Sequence, residues 1–302
     1  MTSFNTKNGL QDFLEKKVAE YNRHSFIEKD PVSVPHQFSK KQDIEISGLF
    51  ASVFAWGNRT TIIQKSNELM CAMDEAPYDF IMNHETADLK RLFTFKHRTF
   101  NTTDLLYFVR FLKFHYQHSD TLESAFLPGK IYQQTPVHDN GQGIVATLRN
   151  KKKRTARESN ELTTRKSDEL ITSENETVKD ALSVFYKRFF SLDDAPDRTH
   201  KHIASPDKNS TCKRLNMYLR WMVRKDKKGV DFGIWRNISS ADLICPVDLH
   251  VARVARGFGL ISRTQTDWQT AMELTSALRK MDPKDPVKFD FALFSLGASE
   301  KY

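Results

Sequence analysis

Cys245-Pro-Val-Asp-Leu-His-Val-Ala-Arg-Val-Ala-Arg-Gly-Phe-Gly-Leu260 puts one carboxylate, Asp248, at the start of an amphipathic helix. Aspartate at that position commonly accepts backbone N–H groups as an N-cap. A second segment, Asn209-Ser-Thr-Cys-Lys-Arg-Leu-Asn-Met-Tyr-Leu-Arg-Trp-Met-Val223, carries Leu215, Leu219 and Met222 at helical spacing and presents Lys213 near its beginning. An amine and a carboxylate can therefore be brought together by two helix starts.

Outward from these segments the chain reads as helices with scant strand alternation. Helices are expected at Leu10–Tyr21, Asp43–Ala55, Asp104–Tyr116, Asp180–Phe190, Thr211–Arg224, Asp248–Phe258, Asp267–Met281 and Pro286–Leu296. Phe26–Lys41, with Pro31 and Pro35, reads as an extended connection, and Gly57 and Asn58 suit a helix break within Trp56-Gly-Asn-Arg-Thr60. Thr102 or Thr103 is available to cap the helix at Asp104, and a short hairpin is expected around Gly229–Ile234. The fold class is all-α, with residues 1–302 as a single domain. Residues 128–178 break the pattern: glycines and Pro136 come first, then Lys151-Lys-Lys-Arg154 and a polar tract with little apolar surface to offset ordering entropy. They read as a mobile basic insertion.

Apolar residues make up 39% of the 302, enough for a sizeable core. The chain contains no apolar run of about 18 residues, and Met1–Leu14 is polar, so a protein of the cytoplasm is expected, without a membrane partner. A net charge of +8 favours a polyanionic partner, because Lys and Arg contacts to phosphate supply most sequence-independent nucleic-acid affinity. The three cysteines, Cys71, Cys212 and Cys245, lie too far apart for a disulfide framework or a four-thiolate site. Among His84, His97, His115, His118 and His138, only His115 and His118 approach ligand spacing, and two ligands are too few for a metal. Neither a glycine-rich phosphate loop nor a serine nucleophile motif is present.

The paired segments resemble the helix-hairpin-helix superfamily of DNA base-excision glycosylases. In that superfamily a lysine begins the second helix of the hairpin and an aspartate lies in a downstream Val-Asp-x-His-Val-x-Arg-Val stretch, matched here by Val247-Asp-Leu-His-Val-Ala-Arg-Val254. The separation of Lys213 from Asp248 exceeds that of the commonest members and is similar to the longer spacing of the archaeal 8-oxoguanine glycosylase branch. The chain as a whole resembles an uncharacterised bacterial family related to the superfamily, which brings no reaction of its own.

The resemblance implies a two-lobed helical fold, with the hairpin and catalytic aspartate in residues 180–260, acting as a monomer on double-stranded DNA from the nucleoid. Lys213 would attack C1′ of the sugar and expel the base. The resulting imine would promote β-elimination of the 3′ phosphate. An ordinary lysine amine titrates near about 10.4, so a nucleophilic one needs partial burial or neighbouring positive charge, for which Arg214 and Arg220 are available. Asp248 would take the proton, orient the amine or stabilise the developing sugar cation. The target base must leave the duplex for a pocket that stacks its face and reads its edge. Phe294 resembles the C-terminal phenylalanine that stacks on the base in oxoguanine glycosylases, with Asp290 in the place of a base-reading polar residue. Trp56 and Asn58 occupy the polar turn between the early helices, and Trp235 follows a loop from which it could stack.

For DNA contacts, Arg98 and His250 are phosphate candidates. The hairpin departs from the usual Gly-x-Gly turn and offers Lys208, Asn209, Ser210 and Thr211 instead, with Asp207 working against them. Some relatives carry an iron–sulfur cluster on four C-terminal cysteines, but here no cysteine follows Cys245, so no cofactor is expected. An oxidised purine is the implied substrate. A non-catalytic DNA-binding module and a protein-interaction scaffold of the same fold are the two alternatives.

Overall fold

The computed structural model describes residues 7–129, 176–298 and 300. Most of the expected insertion, including Lys151–Arg154, lies outside the described residues. The fold is all-α. Its helices in the first half are α1 (Lys7–Tyr21), α2 (His24–Ile27), α3 (Lys41–Phe54), α4 (Arg59–Ala72) and α5 (Pro77–Asn83). Then follow two-residue strands β1 (Lys96–His97) and β2 (Phe100–Asn101), paired antiparallel with Lys96 opposite Asn101, and helix α6 (Thr102–Tyr116). The second half holds α7 (Glu176–Phe189), α8 (Lys213–Val223), α9 (Leu249–Gly257), α10 (Trp268–Arg279) and α11 (Asp290–Ala298). No described helix is long and apolar enough to cross a membrane.

Four local expectations are corrected by the structure. The stretch expected to be extended forms α2 and two 3-10 turns, Pro31–Ser33 and Pro35–Gln37, because proline at a first helical position sacrifices only an N–H that would be unsatisfied anyway. Helix α6 starts earlier than expected and is capped by Asn101, not a threonine. Its Oδ1 accepts from the Thr103 N–H at 3.1 Å, while Asp104 Oδ2 accepts from the Asn101 N–H at 3.0 Å. No hairpin forms at Gly229–Ile234. That segment instead folds onto the end of α8, where the N–H groups of Phe232 and Trp235 reach the Trp221 and Met222 carbonyls at 2.8 and 2.9 Å. Terminal helix carbonyls lack intrahelical donors, and this loop supplies them. Finally, the helix expected at Pro286–Leu296 divides into a 3-10 turn, Pro286–Phe289, and α11.

Helix α3 is the central element, buried from Asp43 to Phe54 and packed against α8, α4 and α5. At Gly48 a side-chain carbon would lie 2.9 Å from Met222 Cε, so the absence of one lets α3 and α8 close together. Helix α11 is apolar on nearly every side and lies between α1 and α9. A second aromatic layer joins α6, α7 and the Leu122–Phe126 turn: Phe126 stacks on Phe185 at 4.1 Å, and Phe108 meets Phe189 edge-on at 4.6 Å. Of the three free thiols, Cys212 and Cys245 are buried and Cys71 is exposed.

Within this core Glu45 on α3 is fully buried and accepts from four donors. These are Tyr116 Oη at 2.9 Å, Thr121 Oγ1 at 2.5 Å, the Leu122 N–H at 3.0 Å and the Trp235 indole N–H at 2.6 Å. That arrangement removes Trp235 from the expected base pocket. Its ring is buried against Phe126 and Tyr218, and its one polar atom is committed to Glu45.

Candidate active site

Two helix starts meet at one cavity. The chain reaches α8 through a 3-10 turn, Pro206–Lys208, and two left-handed residues, Asn209 and Cys212, with φ of 54° and 50°. The Cys212 N–H donates to Ser210 Oγ at 3.2 Å, and Lys213 follows as the first helical residue. Opposite it, Asp248 caps α9. Its Oδ1 accepts from the His250 and Val251 N–H groups at 2.9 and 3.0 Å, and its Oδ2 lies 3.7 Å from Lys213 Nζ. One oxygen serves the helix and the other faces the amine. The two side chains are 23% and 26% exposed, so the amine and the carboxylate both remain open to a ligand.

The cavity beside them has a volume of about 1410 Å³, above the 300–1,000 Å³ usual for small-molecule pockets. Lys213 and Asp248 line it, together with Trp56, Asn58, Asp290, Phe294, Ser210 and Thr211. His250 and the exposed Leu249 lie at its edge. Gly57 takes φ of 93° between α3 and α4 and so turns Trp56 and Asn58 to this side. Asn58 Oδ1 caps α4 by accepting from the Thr61 N–H at 3.2 Å. The Trp56 indole N–H is buried and has no hydrogen-bond partner among the described residues.

Charge organises the cavity wall. The Arg214 guanidinium lies 4.9 Å from the Trp56 ring and donates to the Val53 carbonyl at 2.6 Å. Burial, without a carboxylate partner among the described residues, lowers Arg214 to about 10. Arg220 is the reverse case, because its Nη1 donates to Asp290 Oδ2 and its Nε to Asp231 Oδ1 at 3.3 Å. Its charge is therefore compensated before it can act on Lys213. Asp231 also binds Arg224, which in turn holds Asp285 and Asp226, so a buried ionic chain runs from the cavity wall to the loop after α8. Burial raises Asp290 to about 6, outweighing the attraction of Arg220 and then of Lys213. Phe294 is partly buried, and the Arg59 guanidinium lies 5.0 Å from its ring centre.

The remaining expected residues fall elsewhere. Arg98 does not line the cavity. It turns the β1–β2 hairpin with φ of 54°, and its guanidinium fills the space where Gly57 would carry a side chain. Lys208 and Asn209 are exposed outside the cavity, and Lys208 Nζ donates to Tyr186 Oη, which also meets His200 Nδ1 at 2.8 Å. Sequence reading missed Asp30 and Arg59 as cavity residues, and named Arg220 only as a positive charge near Lys213. Asp30-Pro31 is legible as a cap, but nothing local reveals that this cap opens onto a cavity built by helices from the other end of the chain.

Fold and site together define an all-α protein with an ion-paired lysine and aspartate beside a cavity roomy enough for a nucleoside. Residues 30–299 match the family described as "Protein of unknown function (DUF2400)", and the chain belongs to that family. No curated protein and no solved structure matches it.

Proposed function

We propose that this protein is a DNA glycosylase with lysine-dependent lyase activity, acting on an oxidised or otherwise modified base, with an oxidised purine favoured. The observation that carries the reading is the 3.7 Å approach of Lys213 Nζ to Asp248 Oδ2 at a cavity that both side chains can reach. The sequence order of the two residues and the resemblance of their segments to helix-hairpin-helix glycosylases support the same assignment.

In this reaction the Lys213 lone pair forms a bond to C1′ as the C1′–N bond breaks, and its electrons leave on the base, which is protonated. Asp248, ionised during the attack, counters the positive charge that develops on the sugar, and its Oδ2 then takes the proton that the nitrogen sheds once bonded to C1′; the departing base takes its proton from solvent. Opening of the sugar gives an imine, and loss of a proton from C2′ expels the 3′ phosphate. Phe294 and Trp56 offer flat surfaces to the extruded base, and Asp290 offers a polar edge. Ser210, Thr211 and the start of α8 offer N–H and O–H donors to a phosphate. Net charge of +8 supports association with the duplex.

Borohydride reduction on duplexes containing 8-oxoguanine, uracil or an abasic site tests the assignment. The expected result is a covalent adduct with the wild-type protein and none with Lys213→Gln, which still binds duplex in a mobility-shift assay. An undiminished adduct in Lys213→Gln would sink the assignment.

A further inference from the structure

Four carboxylates line the cavity; Glu28 is exposed to solvent, and of the other three two are held by cations. Asp248 faces Lys213 and Asp290 faces Arg220. Asp30 is 5% exposed, yet it forms no ion pair among the described residues. Its Oδ1 accepts from the Val32 N–H at 3.1 Å, capping the Pro31–Ser33 turn, while Oδ2 has no donor among the described residues. Burial raises its affinity for a proton. After the Val32 N–H, the influences that oppose burial come from Arg220, Arg59 and Lys213, all of which line the same cavity. Oδ2 is not sealed in the core but keeps access to the cavity, where water or a ligand can donate to it.

We propose that Asp30 is a specificity residue of this cavity, whose Oδ2 accepts a hydrogen bond from an exocyclic amine on the extruded base. This rests on the glycosylase reading of Lys213 and Asp248. While it is ionised, the Asp30 carboxylate can only accept. It therefore matches an edge that presents N–H groups, and it repels an edge on which a carbonyl takes the place of the amine. The cavity accordingly takes an amine-bearing purine and rejects its carbonyl or unsubstituted counterpart. Asp290 cannot do this equally well, because one of its oxygens already belongs to Arg220.

The test compares two duplexes, one carrying 2′-fluoro-8-oxoguanosine and one carrying 2′-fluoro-8-oxoinosine, which lacks only the exocyclic amine. The fluorine slows cleavage, so equilibrium affinity is read directly. Asp30→Asn keeps an oxygen for the Val32 N–H and sets an N–H₂ donor where Oδ2 stands. Wild type is expected to prefer the amine-bearing duplex by about tenfold or more, as for a hydrogen bond to a charged acceptor. Asp30→Asn is expected to lose that preference, by a factor larger than any change in its borohydride trapping on an abasic duplex.

Equal wild-type affinities overturn the proposal, as does a preference that survives in Asp30→Asn. A matching loss of abasic trapping also overturns it, since no base is present there and Asp30 would then serve the amine of Lys213. If wild type discriminates by the amine but traps no abasic duplex, the lyase reading fails and the role of Asp30 stands. Should Asp30→Asn melt early, the wild-type comparison of the two duplexes decides alone.

Discussion

The two oxygens of Asp248 have separate tasks, and substitutions can pull them apart. Asn is about as good an N-cap as Asp, whereas Ala loses roughly 1 kcal/mol there. Asp248→Asn is therefore expected to unfold in urea near the wild-type midpoint while its rate of trapping on DNA falls by about a hundredfold or more, the scale of a lost charge-stabilising group. Asp248→Ala is expected to lose both rate and about 1 kcal/mol of stability. A full rate in Asp248→Asn would reduce the residue to a cap. The cap was legible from Asp248 preceding an amphipathic run, because capping is local. The use of Trp235 was not legible, because a tryptophan after a polar loop reads the same whether it faces a ligand or the core. What decides is Glu45, far away in sequence, which takes the indole N–H.

At the scale of elements, the site depends on how closely α11 lies against α9. A side-chain carbon at Gly297 would sit 3.0 Å from the His250 carbonyl oxygen, and the Gly297 carbonyl itself accepts from Arg253 Nη2 at 3.0 Å. Alanine favours a helix over glycine by about 1 kcal/mol, but overpacking against backbone costs about 1–3 kcal/mol. Gly297→Ala is therefore expected to lower the melting temperature and, by shifting the first turn of α9, to slow trapping through Asp248. An unchanged melting temperature together with an unchanged rate would show that the two helices have slack. The α9 and α8 helices were readable from their apolar periodicity. The separation of Pro286–Phe289 from α11 was not, since an apolar run of that length has no internal mark for a change from 3-10 to α geometry.

At the scale of the whole molecule, Glu45 joins α3, α6, the turn after α6 and the loop after α8. Glu45→Ala strands four donors in the core and is expected to cost roughly 3–5 kcal/mol, comparable with breaking a buried charged pair. Glu45→Gln keeps one accepting oxygen and is expected to cost less. Chemical denaturation of both variants measures the difference; equal stability of Glu45→Ala and wild type would remove Glu45 from this role. The same core holds the wall from which Arg214 and Trp56 face the cavity, so a partial loss of stability in Glu45→Gln is expected to weaken duplex binding as well.

By itself the sequence determined the all-α class, a helix beginning within two residues of Lys213, the helix start at Asp248 and the break at Gly57, because periodicity, capping and turn chemistry act over a few residues. Only the tertiary structure decided that Lys213 Nζ and Asp248 Oδ2 stand 3.7 Å apart, that Arg220 is neutralised by Asp290 and Asp231, that Trp235 belongs to the core, and that Asp30 opens onto the cavity. Those outcomes depend on contacts between residues distant in sequence, whose energies are set by burial and by the partner each charge finds. Neither is written in the local order of residues.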